Sequence, residues 1–237
     1  GTEELYAAVT EFDACVGIEV TASHNPIDYN GMKIVGRGSK PLSEKEFHLI
    51  KALAEESSFF QSQKMGAVLD KKEVARAAYV EKVLGFVDFS NLRPLKIVIN
   101  SGNGAAGPTV DAINKILKEK GVKTNFIFVH HDPDSTFPNG IPNPLLPENH
   151  ATTADVVVRE GADMGVAFDG DFDRCFFFDD AGQFVPGEYI VGLLGALFLD
   201  KEPRGKIVHD PRVIWNITDV VSKHSGTPVL SKTGHWK

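Results

Sequence analysis

Apolar and polar residues change period repeatedly along this chain, and each change marks an element. Cys15–Val20, apolar but for Glu19, predicts a buried strand. Lys33-Ile34-Val35 predicts its return strand across a polar turn. Ser43 and Glu46 form a capping box ahead of Phe47, Ile50, Leu53 and Ala54, with Leu42 as a staple, so a helix with one apolar face follows. Residues 57–72 are polar and without period. A second amphipathic helix is expected from Lys72 to Leu84. Beyond Asn91–Pro94 the pattern predicts a strand at Leu95–Ile99, a glycine-rich turn at Asn100–Gly107, a helix at Thr109–Lys120 stopped by Gly121, and a strand at Phe126–Val129. Asp132–Pro147 is dense in Pro, Asn, Asp and Gly and reads as a long shaped loop. A helix at Thr152–Glu160 leads to strands at Met164–Phe168 and Cys175–Phe178 on either side of an acidic turn. The order then restarts: helix Gly187–Leu199, strand Lys206–Val208, helix Ile214–His224, strand Pro228–Leu230.

Strands alternating with helices predict an α/β protein. Lys96-Ile97-Val98 and Lys206-Ile207-Val208 each open a strand–turn–helix–strand unit, which points to tandem α/β units with mixed sheets flanked by helices. Unit boundaries are expected near Pro94 and Pro186, giving 1–90, 91–186 and 187–237.

Composition narrows the function. With 42% hydrophobic and 24% charged residues, the chain has the make-up of a soluble globular protein. A net charge of −7 argues against nucleic acid or an anionic membrane as partner. The longest apolar stretch, Tyr189–Leu199, is too short to span a bilayer. Two cysteines, Cys15 and Cys175, each lie in an apolar run and read as buried free thiols of a reducing cytoplasm, with no secretory leader at the start.

Two segments carry chemistry. Val20-Thr-Ala-Ser-His-Asn-Pro26 places the hydroxyl of Ser23 beside His24 in a tight turn after an apolar run. Sites of α/β proteins gather at such strand ends. A serine needs help to act as a nucleophile, and His24 is better suited to orient or donate to a phosphoryl group than to deprotonate its neighbour. Asp169-Gly-Asp171-Phe-Asp173-Arg174 alternates three carboxylates, which an extended turn brings to one side. Three hard oxygen donors suit Mg²⁺. An EF-hand fits poorly, because its sixth position is Arg174 rather than glycine and a strand is expected to follow. Arg174 is placed either to grip a phosphate with its planar fork or to pair with Asp173. Lys33 reads, on spacing alone, as an ordinary strand lysine. The glycine turn at 100–107 matches no nucleotide fingerprint and reads as structural.

Taken together, these segments resemble the α-D-phosphohexomutase family, whose members interconvert hexose 1- and 6-phosphates, and the similarity runs over essentially the whole chain. The resemblance implies that Ser23 carries the phosphoryl group. It implies that Asp169, Asp171, Asp173 and the Ser23 phosphate hold Mg²⁺, with Arg174 closing that motif and Lys33 acting as general acid/base. Lys232-Thr233-Gly234-His235 is similar to a family stretch, so Lys232 and His235 would face the substrate. The loop from Phe137 through Glu148 is also family-like and resembles most closely the branch that supplies mannose phosphates for GDP-mannose and surface polysaccharides. The implied ligands are a hexose phosphate and its bisphosphate. Glucose- and glucosamine-phosphate mutases remain alternatives within the family. A phosphatase with an aspartate nucleophile and a non-catalytic metal- or phosphosugar-binding fragment stand outside it. Family members have four domains, so the sequence would hold the end of domain 1, domain 2 and the start of domain 3. Phe172 stands where the family often has glycine.

Overall fold

The computed structural model describes residues 1–232 and arranges the apolar runs into three sheets served by seven helices among the described residues. Helix α1 (Thr2–Glu11) is an element the sequence pattern did not predict. Gly1 stands at its N-cap, so no polar side chain announces its start. Strands β1 (Val16–Val20) and β2 (Met32–Gly36) pair antiparallel, with Glu19 opposite Lys33. Val9 and Leu5 of α1 lie over Gly17 on one face of this ribbon. Its other face is bare: Val16, Ile18, Val20 and Met32 are 46%, 51%, 70% and 68% exposed. The expectation of a buried strand at 15–20 is therefore corrected, because α1 covers one side of the ribbon only. The expectation of buried thiols is corrected too. Cys15 and Cys175 are free but exposed, the first at the foot of the bare ribbon and the second opening its strand directly after the acidic turn.

Helix α2 (Glu44–Glu55) carries the expected capping box, with Ser43 N donating to Glu46 Oε2 at 2.8 Å. Its apolar residues Phe47, Ile50 and Leu53 are exposed. Helix α3 (Lys72–Leu84) has the expected bounds and packs on α1.

The central sheet is mixed, in the order β4-β3-β5-β6-β7. Strands β3 (Leu95–Asn100), β4 (Thr124–Val129) and β5 (Met164–Phe168) run parallel, while β6 (Cys175–Phe178) and β7 (Phe184–Val185) turn back antiparallel. Alternate residues of β3 face opposite layers, as the two-residue period of a strand requires. Val98 joins Val156 and Val157 of α5 (Ala151–Glu160) and Phe178, whereas Ile99 joins Val110 of α4 (Gly107–Glu119) and Val166. Burying side chains of this size contributes about 1.5–3 kcal/mol each. The carboxyl ends of β3 and β5 thus come side by side, and both functional turns meet there.

Helix α6 (Gly187–Lys201), strand β8 (Lys206–His209), helix α7 (Ile214–Lys223) and strand β9 (Thr227–Leu230) close the chain. β8 and β9 pair in parallel beneath a small core of Leu199, Ile217 and Val221. Among the described residues, no helix is long and apolar enough to cross a membrane.

Candidate functional site

The serine turn leaves β1 and closes on itself. Thr21 Oγ1 accepts from Ser23 N at 2.8 Å, and Asn25 N donates to Ala22 O at 3.0 Å. Ser23 sits in the left-handed region at φ +55°. Its Oγ donates to Asp169 Oδ2 at 2.8 Å, accepts from Arg174 Nη2 at 2.8 Å, and lies 3.1 Å from His24 Nδ1. Arg174 Nη2 also points at His24 Nδ1, so that ring nitrogen is the acceptor and its proton belongs on Nε2.

The acidic turn leaves β5. Asp169 Oδ1 accepts from Arg174 N at 3.1 Å, which folds the segment back on itself. The two turns meet backbone to backbone. A Cβ on Gly170 would stand 2.3 Å from Ser23 O, and one on Gly104 would stand 2.6 Å from Gly170 O. Glycine is required at both positions by this close approach. The turn at 100–107 is structural, as expected. Two of its amides are used within the turn, Gly102 N on Asn100 Oδ1 and Gly104 N on Ser101 O, and Ala105 N donates to Gly170 O of the acidic turn at 2.9 Å. It supports the acidic turn from below.

Asp169, Asp171 and Asp173 offer oxygens that all lie within 4.8 Å of one another. Asp169 and Asp171 are almost wholly buried. Lys33 Nζ lies 2.7 Å from both Asp171 Oδ2 and Asp173 Oδ2, so the second strand of the ribbon delivers a cation to the triad. Arg174 supplies another, with Nε donating to Asp169 Oδ2 at 3.0 Å and to Asp173 Oδ1 at 3.3 Å. Arg174 thus pairs with Asp173, as one of its two readings expects, and its Nη2 also reaches the serine oxygen.

Electrostatics differ along the triad. Burial pushes the Asp169 carboxyl above the usual aspartate range, because Arg174 and Ser23 offset it only in part. At Asp171 burial also opposes charge, but Lys33 and the hydroxyls of Thr21 and Thr2 outweigh it and hold that carboxyl low. Burial works against the Lys33 ammonium, yet its bonds to Asp171 and Asp173 raise its pKa above that of a free lysine. Lys33 is therefore held as a charged donor.

A divalent cation fits this donor set on a specific observation. Asp171 Oδ1 is buried and has no hydrogen-bond partner. An orphaned carboxylate oxygen beside two further carboxylates is costly unless a cation meets it. The triad is thus able to hold a metal ion.

Comparison with known proteins decides the family. Residues 1–61 match the model of phosphoglucomutase/phosphomannomutase alpha/beta/alpha domain I, and residues 77–182 match that of domain II. The chain belongs to the phosphoglucomutase/phosphomannomutase family. It is 54% identical over 236 residues to the phosphomannomutase of Escherichia coli K12, covering 99% of this chain and 52% of that protein. It is 52% identical to the phosphomannomutase of Vibrio cholerae, covering 99% of this chain and 50% of that one. Among solved structures, a phosphoglucomutase/phosphomannomutase family protein from Burkholderia thailandensis superimposes with a TM-score of 0.80 at 32% identity, covering 93% of this chain and 46% of its own. The chain spans about half the length of the relatives it matches.

Within this family frame, the structure brings Ser23, His24, Lys33, Asp169, Asp171, Asp173 and Arg174 into one cluster. Lys232 is exposed after β9, and among the described residues it makes no hydrogen bond to that cluster. His235 lies outside the described residues. Sequence reasoning missed Thr2, whose hydroxyl touches both Lys33 and Asp171. A chain of Ser101, His131 and Asp111 imitates a hydrolase triad, with spacings of 3.5 and 2.9 Å. Ser101 is fully buried, so that arrangement offers no reachable nucleophile.

Phe172 shows how a family site accepts an aromatic residue in its acidic turn. It takes φ +42° and buries its ring 6.5 Å from Tyr79 of α3. Tyr79 has its pKa pushed up to about 12, by burial first and then by Glu3 and Glu4. In an alkaline titration followed by phenolate absorbance, Tyr79 is expected to ionise near that value, whereas the same tyrosine in unfolded chain ionises near about 10. Between those values the unfolded chain has released a proton that the folded chain retains. The contribution of Tyr79 to stability is therefore complete below the unfolded pKa and is lost as pH rises towards the folded one. Tyr79→Phe removes the late ionisation; a late step that persists in that variant assigns it elsewhere.

Proposed function

We propose that this chain carries the phosphoryl-transfer half of a phosphomannomutase that interconverts mannose 6-phosphate and mannose 1-phosphate. The observation that carries this reading is the hydroxyl of Ser23 standing between Asp169 Oδ2 and Arg174 Nη2, at 2.8 Å from each, beside a triad fit for a cation. The resting enzyme would hold phosphoserine at Ser23. The phosphorus–Oγ bond breaks as the free hydroxyl of the sugar monophosphate forms its own bond to phosphorus; Oγ takes a proton from Lys33, and the proton released by the sugar hydroxyl restores Lys33. The bisphosphate so formed then returns its other phosphoryl group to Ser23.

Each residue has a part in this scheme. Arg174 stabilises charge on the transferring group with a donor already aimed at the serine oxygen. Lys33, held protonated by two carboxylates, serves as the acid for departing Oγ, and His24 orients the phosphoryl group. Asp169, Asp171 and Asp173 would hold Mg²⁺, which supplies Lewis-acid stabilisation of the transferring phosphoryl oxygens. Lys232 and His235 belong to the substrate side in this reading. We divide the chain at 1–90, 91–186 and 187–237, as the end of domain 1, domain 2 and the start of domain 3. Two unpaired, exposed thiols suit a reducing compartment, and we place the protein in the cytoplasm.

The test exposes the protein to hexose 1,6-bisphosphate and Mg²⁺, locates any phosphate by peptide mass, and assays mannose, glucose and glucosamine 1-phosphates in parallel. Acid-stable phosphate on Ser23 with preference for mannose supports the reading. Preference for glucose or glucosamine moves it to the corresponding mutase. Acid-labile phosphate on an aspartate overturns it in favour of a phosphatase.

A further inference from the structure

We infer that Thr2, at the start of α1, is a positioning residue that sets which oxygen of Asp171 faces the cation; the inference rests on the metal-site reading above. Thr2 is fully buried although it is polar. Its single hydroxyl is used twice: it donates to Asp171 Oδ2 at 3.1 Å and accepts from Lys33 Nζ at 3.1 Å. Its backbone N donates to Asp171 O at 3.2 Å. Thr2 thus grips Asp171 by main chain and side chain at once.

The grip is one-sided. Asp171 Oδ2 receives Thr2 at 3.1 Å and Lys33 at 2.7 Å, and the Thr21 hydroxyl also favours the charged carboxylate. Oδ1 is buried and receives no hydrogen bond. A carboxylate anchored through one oxygen cannot exchange its two oxygens without breaking those bonds, so Oδ1 is presented as the free coordinating atom. The same hydroxyl holds Lys33 beside Oδ2, which keeps the ammonium from taking the coordinating oxygen. Outer groups that orient a metal ligand in this way typically govern metal affinity by about 10–100-fold.

The experiment measures Mn²⁺ binding by electron paramagnetic resonance, with Mg²⁺ as competitor, in the unaltered protein and in Thr2→Val, Thr2→Ser and Asp171→Asn. Valine keeps the shape of threonine and removes its hydroxyl. Thr2→Val is expected to weaken Mn²⁺ and Mg²⁺ binding by about 10–100-fold, and Thr2→Ser is expected to match the unaltered protein. Melting curves without metal are recorded on every variant, and Thr2→Ala replaces valine if valine does not fold. Unchanged affinity in the hydroxyl-free variant, or loss in Thr2→Ser equal to that in the hydroxyl-free variant, overturns the inference while leaving the metal site standing. Failure of the unaltered protein to bind Mn²⁺, or equal binding by Asp171→Asn, overturns the metal-site reading instead.

Discussion

Ser23→Ala is expected to end phosphoryl uptake from hexose bisphosphate and to lower mutase turnover by about 10⁴-fold or more, the scale on which loss of a covalent nucleophile acts. The fold has little reason to respond. Arg174 keeps its bonds to Asp169, at 3.0 Å through Nε and 2.5 Å through Nη2, when the serine oxygen is gone. Thermal stability should therefore stay close to that of the unaltered protein, which separates a chemical loss from a structural one. Ser23→Gly sharpens the result. At φ +55° glycine adopts the backbone without steric strain, so this variant removes the hydroxyl while easing the turn. Phosphorylation and turnover are read by peptide mass and by the mannose 1-phosphate assay. Substantial turnover in Ser23→Gly would sink the phosphoserine mechanism.

Asp171→Asn is expected to remove most of the stabilisation that Mg²⁺ gives. A ligand at one hundred times its dissociation constant stabilises the folded state by about 2.7 kcal/mol. If loss of the Asp171 charge raises that constant about 100-fold, the same Mg²⁺ concentration contributes only about 0.4 kcal/mol. Lys33 keeps Asp173 as a partner at 2.7 Å, so the metal-free protein should still fold. The comparison is a pair of melting curves, with and without Mg²⁺, for each protein. A full Mg²⁺ shift in Asp171→Asn would show that the cation binds elsewhere.

Local rules made much of the fold legible. The capping box at Ser43–Glu46 and the periodic segment from Lys72 to Leu84 announced α2 and α3, because caps and periodicity are local. The strands on either side of the acidic turn were legible because aliphatic and aromatic runs bounded by turn residues leave little choice. Burial was less legible. Cys15–Val20 has the composition of a core strand, but what covers a strand is decided by distant chain, and here one face of the ribbon is uncovered. Helix α1 lacks a polar cap, and its packing on α3 brings together segments some seventy positions apart.

The candidate site divides in the same way. Ser23 and the three aspartates were legible from residue type and spacing. The family resemblance supplied Lys33, which spacing alone read as an ordinary strand lysine. Thr2 had no signal at all, since its partner stands 169 positions away. The turn at Phe172 was half legible: its position suggested glycine, and the left-handed backbone shows why, but only the structure shows the ring anchored near Tyr79.

The meeting of Ser23 O with Gly170, and of Gly104 with Gly170 in turn, has a consequence for heredity. The nucleophile comes from one stretch of the gene, the carboxylates from another, and the support beneath them from a third. Contact between main chains leaves no side chain to trim when one stretch shifts against another. Recombination that exchanged a single stretch with a divergent relative would have to reproduce that fit at once. A side chain added at Gly104 or Gly170 should therefore disturb the fit of all three stretches at once.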